Sequence, residues 1–165
     1  MPRLFVAVWP PDDVLRELTA MPRPEVDGLR WTALERLHVT LRFLGQCKEA
    51  EAAAALRRVS SPPAPITLGP SVQRLGRAIV MIPARGADDL AAAVTEATEH
   101  IGQPPPKRRF TGHMTVARFK RDPAPGQWPP ADPPALDTAF TAPEIALVRV
   151  ESSGAYVNVQ HFDLR

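Results

Sequence analysis

The amino-acid sequence predicts an α+β fold built by duplication, with two pseudo-symmetric lobes, antiparallel sheets lining a central cleft and helices packed outside. Three observations carry this. The order strand, helix, strand, helix runs once before Ser61 and recurs, with hairpin additions, after it. The stretches His38-Val-Thr-Leu-Arg-Phe43 and His113-Met-Thr-Val-Ala-Arg-Phe119 differ by one inserted residue. Both alternate polar and apolar residues with the two-residue period of a half-buried strand. A repeated unit that cannot bury its apolar face alone pairs with its copy, which gives two sheets around a shared cleft.

The elements follow in order. Arg3 to Val8 is apolar and bounded by Trp9-Pro10-Pro11, so it reads as a buried strand. A helix then runs to Met21, with proline and aspartates in its first turn. Leu29 to Trp31 is a short strand, Leu37 to Leu44 a main strand ending at Gly45, and alanine-rich Lys48 to Val59 a helix. After three prolines, Ile66 to Leu75 and Ala78 to Ile82 form a hairpin through Gly76-Arg77. Asp88 to Ile101 is an amphipathic helix with aspartate near its positive end. Gly112 to Phe119 is a strand. The segment Pro123 to Pro134 holds six prolines in twelve residues and reads as an extended loop. Glu144 to Ser152 and Tyr156 to Leu164 close the chain as a hairpin through Gly154.

Composition bounds the function. With 165 residues, 44% of them hydrophobic and 23% charged, the chain is sized for a single domain over residues 1–165 made of two lobes. Its apolar runs fall far short of the roughly 20 residues that cross a bilayer, and no signal-peptide layout is present, so a cytoplasmic protein without membrane attachment is expected. Cys47 is the only cysteine and is assigned no role. The net charge of +2 says little about partners. Its distribution says more, because Lys107, Arg108, Arg109, Arg118, Lys120 and Arg121 form a run without an acidic residue.

The chemistry lies in His38-Val39-Thr40-Leu41 and His113-Met114-Thr115-Val116. Alternation places each histidine and its threonine on one face and the apolar pair on the other. Phosphodiester hydrolysis needs a base for water, an acid for the departing oxygen and donors for the non-bridging oxygens. Attacking and leaving oxygens lie roughly in line across phosphorus, so acid and base approach from opposite sides; two strands achieve this and one motif does not. Chance would put threonine two positions after two of the four histidines roughly 2% of the time. His100 and His161 lack this context and read as structural. Strict alternation also puts Arg42 on the His38 face and Arg118 opposite His113 unless the strand bulges after Val116. Among aromatic residues, Trp9, Trp31, Phe43 and Tyr156 are candidates to stack on a base.

The paired motifs, together with Leu4-Phe5-Val6-Ala7-Val8, Trp31, Leu37 to Gly45 and Phe110…His113 to Arg118, resemble the 2H phosphoesterase superfamily over essentially the whole chain. Within it the sequence is similar to the RNA 2′,3′-cyclic phosphodiesterases, also called 2′-5′ RNA ligases. The resemblance implies hydrolysis of a terminal 2′,3′-cyclic phosphate to a 2′-phosphomonoester without metal or cofactor, with reversible 2′-5′ ligation in some members. It implies His38 as proton donor, His113 as proton acceptor, and Thr40, Thr115 and Arg118 on the phosphate. Gly112 departs from the proline that many relatives carry before the second histidine. The implied partner is RNA with a 2′,3′-cyclic phosphate end, or a cyclic nucleotide; a monomer is expected as the simplest assembly. Two other readings stand beside it: a non-catalytic RNA-end or nucleotide-binding module, and a metallohydrolase, for which His-x-Thr offers only one good ligand per strand.

Overall fold

The computed structural model, which describes residues 1–165, carries three α-helices and ten strands joined in one strongly curled antiparallel sheet. The strands are β1 (Arg3–Val8), β2 (Leu29–Trp31), β3 (Val39–Gln46), β4 (Ala64–Leu68), β5 (Gln73–Leu75), β6 (Ile79–Arg85), β7 (His113–Phe119), β8 (Thr138–Ala142), β9 (Glu144–Val150) and β10 (Tyr156–Asp163). The helices are α1 (Asp12–Ala20), α2 (Glu49–Leu56) and α3 (Asp88–Ala97). Eight strands run in the order β10-β9-β1-β3-β7-β6-β4-β8, which reads the same in plan from either end, and β2 on β7 and β5 on β6 lie off this path. In one lobe β1-α1-β3 is flanked by β9 and β10; in the other β6-α3-β7 is flanked by β4 and β8. The two lobes meet where β3 pairs with β7 through one register pair, Val39 with Met114.

Alternation sorts the side chains. Leu4, Val6, Val8, Val39, Met114, Val80 and Ile82 point into the main core beneath the helices. Phe5, Ala7, Ala146 and Val148 form a second, smaller apolar layer on the concave face, with Trp9 and Tyr156 packed on it. Burial of each of the larger side chains contributes about 1.5–3 kcal/mol, so both layers resist flattening of the sheet. No helix is long and apolar enough to cross a membrane.

Three expectations change. Ile66 to Leu75 is not one strand, because Gly69-Pro70 ends β4 at Leu68 and proline removes a ladder donor. α3 stops at Ala97 instead of Ile101, where the Thr98 hydroxyl bonds back to the Val94 carbonyl at 2.6 Å. The second lobe has no helix after β7; the proline-rich loop takes that place and leads into β8, an edge strand that pairs with β4.

Both motif strands bulge at the same point. In β3, Ala7 faces Thr40 and Val6 faces Arg42, so Leu41 is the extra residue. In β7, Met81 faces Thr115 and Val80 faces Ala117, so Val116 is the extra residue. The third residue after each histidine is therefore the bulge, and the apparent one-residue insertion between the two motifs dissolves: Arg42 is equivalent to Ala117, and Phe43 to Arg118.

Candidate active site

His38 immediately precedes β3 and His113 opens β7, and both turn toward the concave face. Extending the Val39–Met114 register by one residue each way sets His38 beside Thr115 and Thr40 beside His113. The four groups thus occupy a square with the imidazoles at diagonal corners. Two imidazoles so placed can approach a group held between them from opposite sides.

Each imidazole is anchored in the same way. His38 Nδ1 lies 2.7 Å from the Arg36 carbonyl and His113 Nδ1 lies 2.8 Å from the Thr111 carbonyl, in both cases two residues upstream. A carbonyl only accepts, so Nδ1 carries the proton and Nε2 is the ring nitrogen left for other partners. Thr40 Oγ1 sits 2.9 Å from His38 Nε2 and donates to it when the ring is neutral.

The two lobes give the histidines unlike surroundings. His38 is packed among rings, with centroids 4.9 Å from Phe5, 5.3 Å from Trp9 and 5.5 Å from Tyr156. Burial there pushes its pKa below the usual 6.5; the hydrogen bond to Arg36 works against this, and the charges of Arg36, His113 and Arg118 add to it. The Arg36 guanidinium lies 4.4 Å above the Tyr156 ring, so a cation borders the same aromatic wall.

The other lobe is basic. The bulge at Val116 returns Arg118 to the face of His113 and Thr115, where it is exposed and pairs across the ladder with Arg30. Two guanidiniums directly opposite each other repel, and an anion between them removes the penalty. Arg30 was not a sequence candidate; its partner in β7 is a long-range pairing that no local pattern encodes. Gly112 lies tight against the neighbouring strand. A Cβ there would lie 2.1 Å from the Ala84 carbonyl oxygen, in the ladder that seats His113.

Arg42, which strict alternation puts on the His38 face, is not in the cleft. The bulge at Leu41 turns it to the helix side, 4% exposed, where Nη1 donates to Thr98 Oγ1 at 2.8 Å and to the Thr95 carbonyl at 3.1 Å. Its Nη2 donates to the Gln103 and Ile101 carbonyls at 2.9 and 3.4 Å. The basic run divides: Lys107, Arg108, Arg109 and Lys120 are exposed outside regular pairing, Arg121 pairs with Asp27, and only Arg118 enters the cleft. Of the aromatic candidates, Trp9 and Tyr156 contact His38 and Phe43 is 59% exposed on the concave face. Trp31 packs on the main core with its indole N–H donated to the Pro24 carbonyl. Cys47 is buried. No three His, Cys, Asp or Glu side chains converge in a way that would hold a metal ion.

A curled antiparallel sheet that presents two His-x-Thr strands to one cleft defines the two-histidine phosphoesterase class. The profile of the 2′-5′ RNA ligase superfamily matches residues 9–154, and the chain belongs to that family. Solved structures share the fold along nearly the whole chain. TT0787 of Thermus thermophilus is 26% identical with a TM-score of 0.74, over 99% of this chain and 98% of its own. A structure described as a phosphoesterase is 23% identical with a TM-score of 0.79 over the same shares. E. coli LigT complexed with 3′-AMP is 24% identical with a TM-score of 0.76, again over 99% and 98%. No curated protein matches the chain.

Proposed function

We propose that the protein hydrolyses the 2′,3′-cyclic phosphate at RNA termini to a 2′-phosphomonoester by two-histidine acid–base catalysis. The observation that carries the reading is the diagonal pair of imidazoles, each with Nδ1 fixed by an upstream carbonyl and Nε2 turned to one cleft. His113 Nε2 takes a proton from water as its oxygen attacks phosphorus. The P–O3′ bond breaks opposite the attack, and His38 Nε2–H protonates the departing O3′. One water is consumed, and the product carries a 2′-phosphate and a 3′-hydroxyl. Thr40, Thr115 and Arg118 hold the non-bridging oxygens as charge accumulates there.

In the free protein, burial favours neutral His38, whereas the donor must be protonated. A bound phosphodiester anion supplies the opposite charge that draws the proton back, so the ligand itself creates the acid. With a 5′-hydroxyl in place of water the same atoms join two RNA ends through a 2′-5′ linkage, so hydrolysis and ligation share one geometry. The fold of LigT, whose structures include complexes with 3′-AMP and ATP, supports a nucleotide as ligand. The protein acts as a cytoplasmic monomer on such ends, with no cofactor in the scheme.

The test is incubation with a 2′,3′-cyclic nucleotide in EDTA. A 2′-phosphomonoester is the expected product. Binding without turnover would establish a nucleotide-binding module instead, loss of activity on chelation would bring in a metal, and a 3′-phosphate would reverse the assignment of the leaving oxygen.

A further inference from the structure

A groove of about 230 Å³ lies beside the candidate active site at the start of α1, lined by Trp9, Pro11, Phe140, Thr141, Glu144 and His161 among others. Trp9 is the wall it shares with that site. Its ring centroid is 5.3 Å from that of His38, and its Nε1–H donates to Asn158 Oδ1 at 2.9 Å, which fixes the plane of the indole. His161 pairs with Ala146 across β9 and β10, so it shares the concave face with the aromatic layer, and its Nδ1 lies 2.9 Å from Glu144 Oε1. The walls are flat and apolar; one rim is polar and carries a carboxylate. A carboxylate repels phosphate and accepts from an exocyclic amino group, and an indole stacks on any heteroaromatic face. The volume is below the roughly 300–1,000 Å³ of pockets for drug-sized ligands and suits one planar ring system.

We propose that this groove is a second subsite that binds the nucleobase immediately 5′ to the reacting terminal nucleotide, with Trp9 as its stacking platform and the Glu144–His161 pair reading its edge. The inference rests on the cyclic phosphodiesterase reading above. In a ribose bridged by a 2′,3′-cyclic phosphate, C1′ with its base adjoins C2′, and C4′ with the 5′ chain adjoins C3′. Base and chain therefore leave the ribose at opposite ends. With O3′ facing His38, the 5′ chain leaves over the His38 lobe. The β1–β3 register orders that lobe's cleft: Phe5 beside Phe43, then Ala7 beside Thr40, and beyond the last pair Trp9 beside His38. The groove thus lies at the His38 end, and the exposed Phe43 ring lies at the other. A base bearing an exocyclic amino group, whether adenine, cytosine or guanine, can donate it to the Glu144 carboxylate; uracil has no amino group and offers only its N3–H.

Steady-state hydrolysis of four substrates tests this: adenosine 2′,3′-cyclic phosphate, the two dinucleotides ending in that residue with adenine or uracil on the 5′ side, and the same dinucleotide with an abasic 5′ ribose. The adenine dinucleotide is expected to have a KM at least about fivefold below the mononucleotide, the lower end of what one stacked base contributes. Uracil should give part of that gain and the abasic ribose little of it. Glu144→Ala and His161→Ala, both at solvent-accessible positions, should remove the adenine preference and leave mononucleotide turnover unchanged. Equal KM for adenine and abasic dinucleotides would overturn the subsite. So would variants that impair mononucleotide and dinucleotide alike, since the groove would then serve the terminal base or the fold. Absence of mononucleotide turnover in the native protein would instead defeat the phosphodiesterase reading, and this inference with it.

Discussion

Replacing Arg42 by methionine separates the two roles its position in the motif suggests. The side chain keeps its apolar stem and loses a guanidinium that ties β3 to the end of α3. Two short bonds, to Thr98 Oγ1 and the Gln103 carbonyl, carry most of the interaction. Hydrogen bonds to charged groups contribute about 1.5–3 kcal/mol each, which gives roughly 3–6 kcal/mol for the pair. Against this stands the cost of burying the charge, which also lowers its pKa, and an Nε that finds no partner. The net expectation is about 3 kcal/mol of lost stability. For a domain of this size each kcal/mol moves Tm by about 2–4 °C, so thermal unfolding should begin about 6–12 °C lower. Arg42→Lys should fall between, since an ammonium reaches fewer of the four acceptors. Well below both transitions, KM for a cyclic nucleotide should stay within about twofold of the native value. An unchanged Tm with a KM raised tenfold would instead put Arg42 on the phosphate.

Other perturbations address the cleft itself. His38→Ala and His113→Ala should each lower turnover of a cyclic nucleotide by about 10²–10⁴, and a near-native rate in either would remove that residue from the mechanism. His38 also predicts a pH dependence of stability. Its folded pKa lies below 6.5, so between that value and 6.5 the unfolded chain binds more protons, and the stability present above 6.5 is lost as pH falls through this window. Urea unfolding at pH 7.5 and 5.5 should therefore show a smaller acid loss in His38→Asn than in the native protein. Arg118→Ala should reduce kcat/KM about 10- to 100-fold with little change in Tm, as expected for an exposed charge that meets only the ligand. Gly112→Ala should lower both Tm and turnover, because its Cβ would force the ladder apart at Ala84 beside His113.

Much of the site was legible because alternation is local. His38 with Thr40 and His113 with Thr115 share a face for the reason any strand residues two apart do, and the apolar residues between them are buried. What alternation could not supply is the bulge. Leu41 and Val116 become extra residues only because β1 and β6 pair with the motif strands through a curved sheet, and that pairing is long-range. Hence Arg42 left the cleft and Arg118 entered it. Arg30 depended on the same non-local pairing. β8 escaped notice for a related reason: it follows the proline-rich loop, lies at an edge, and owes its existence to β4.

The seam between the lobes has a consequence for how such a cleft is adjusted. Val39 and Met114 are fully buried, form the one register pair across it, and sit between the residues that face the cleft. The width of the opening is therefore set from behind, by how two hydrocarbon side chains fill the space under the strands. Adding or removing a methylene there is expected to shift one half against the other and change the width of the cleft without altering any side chain that lines it.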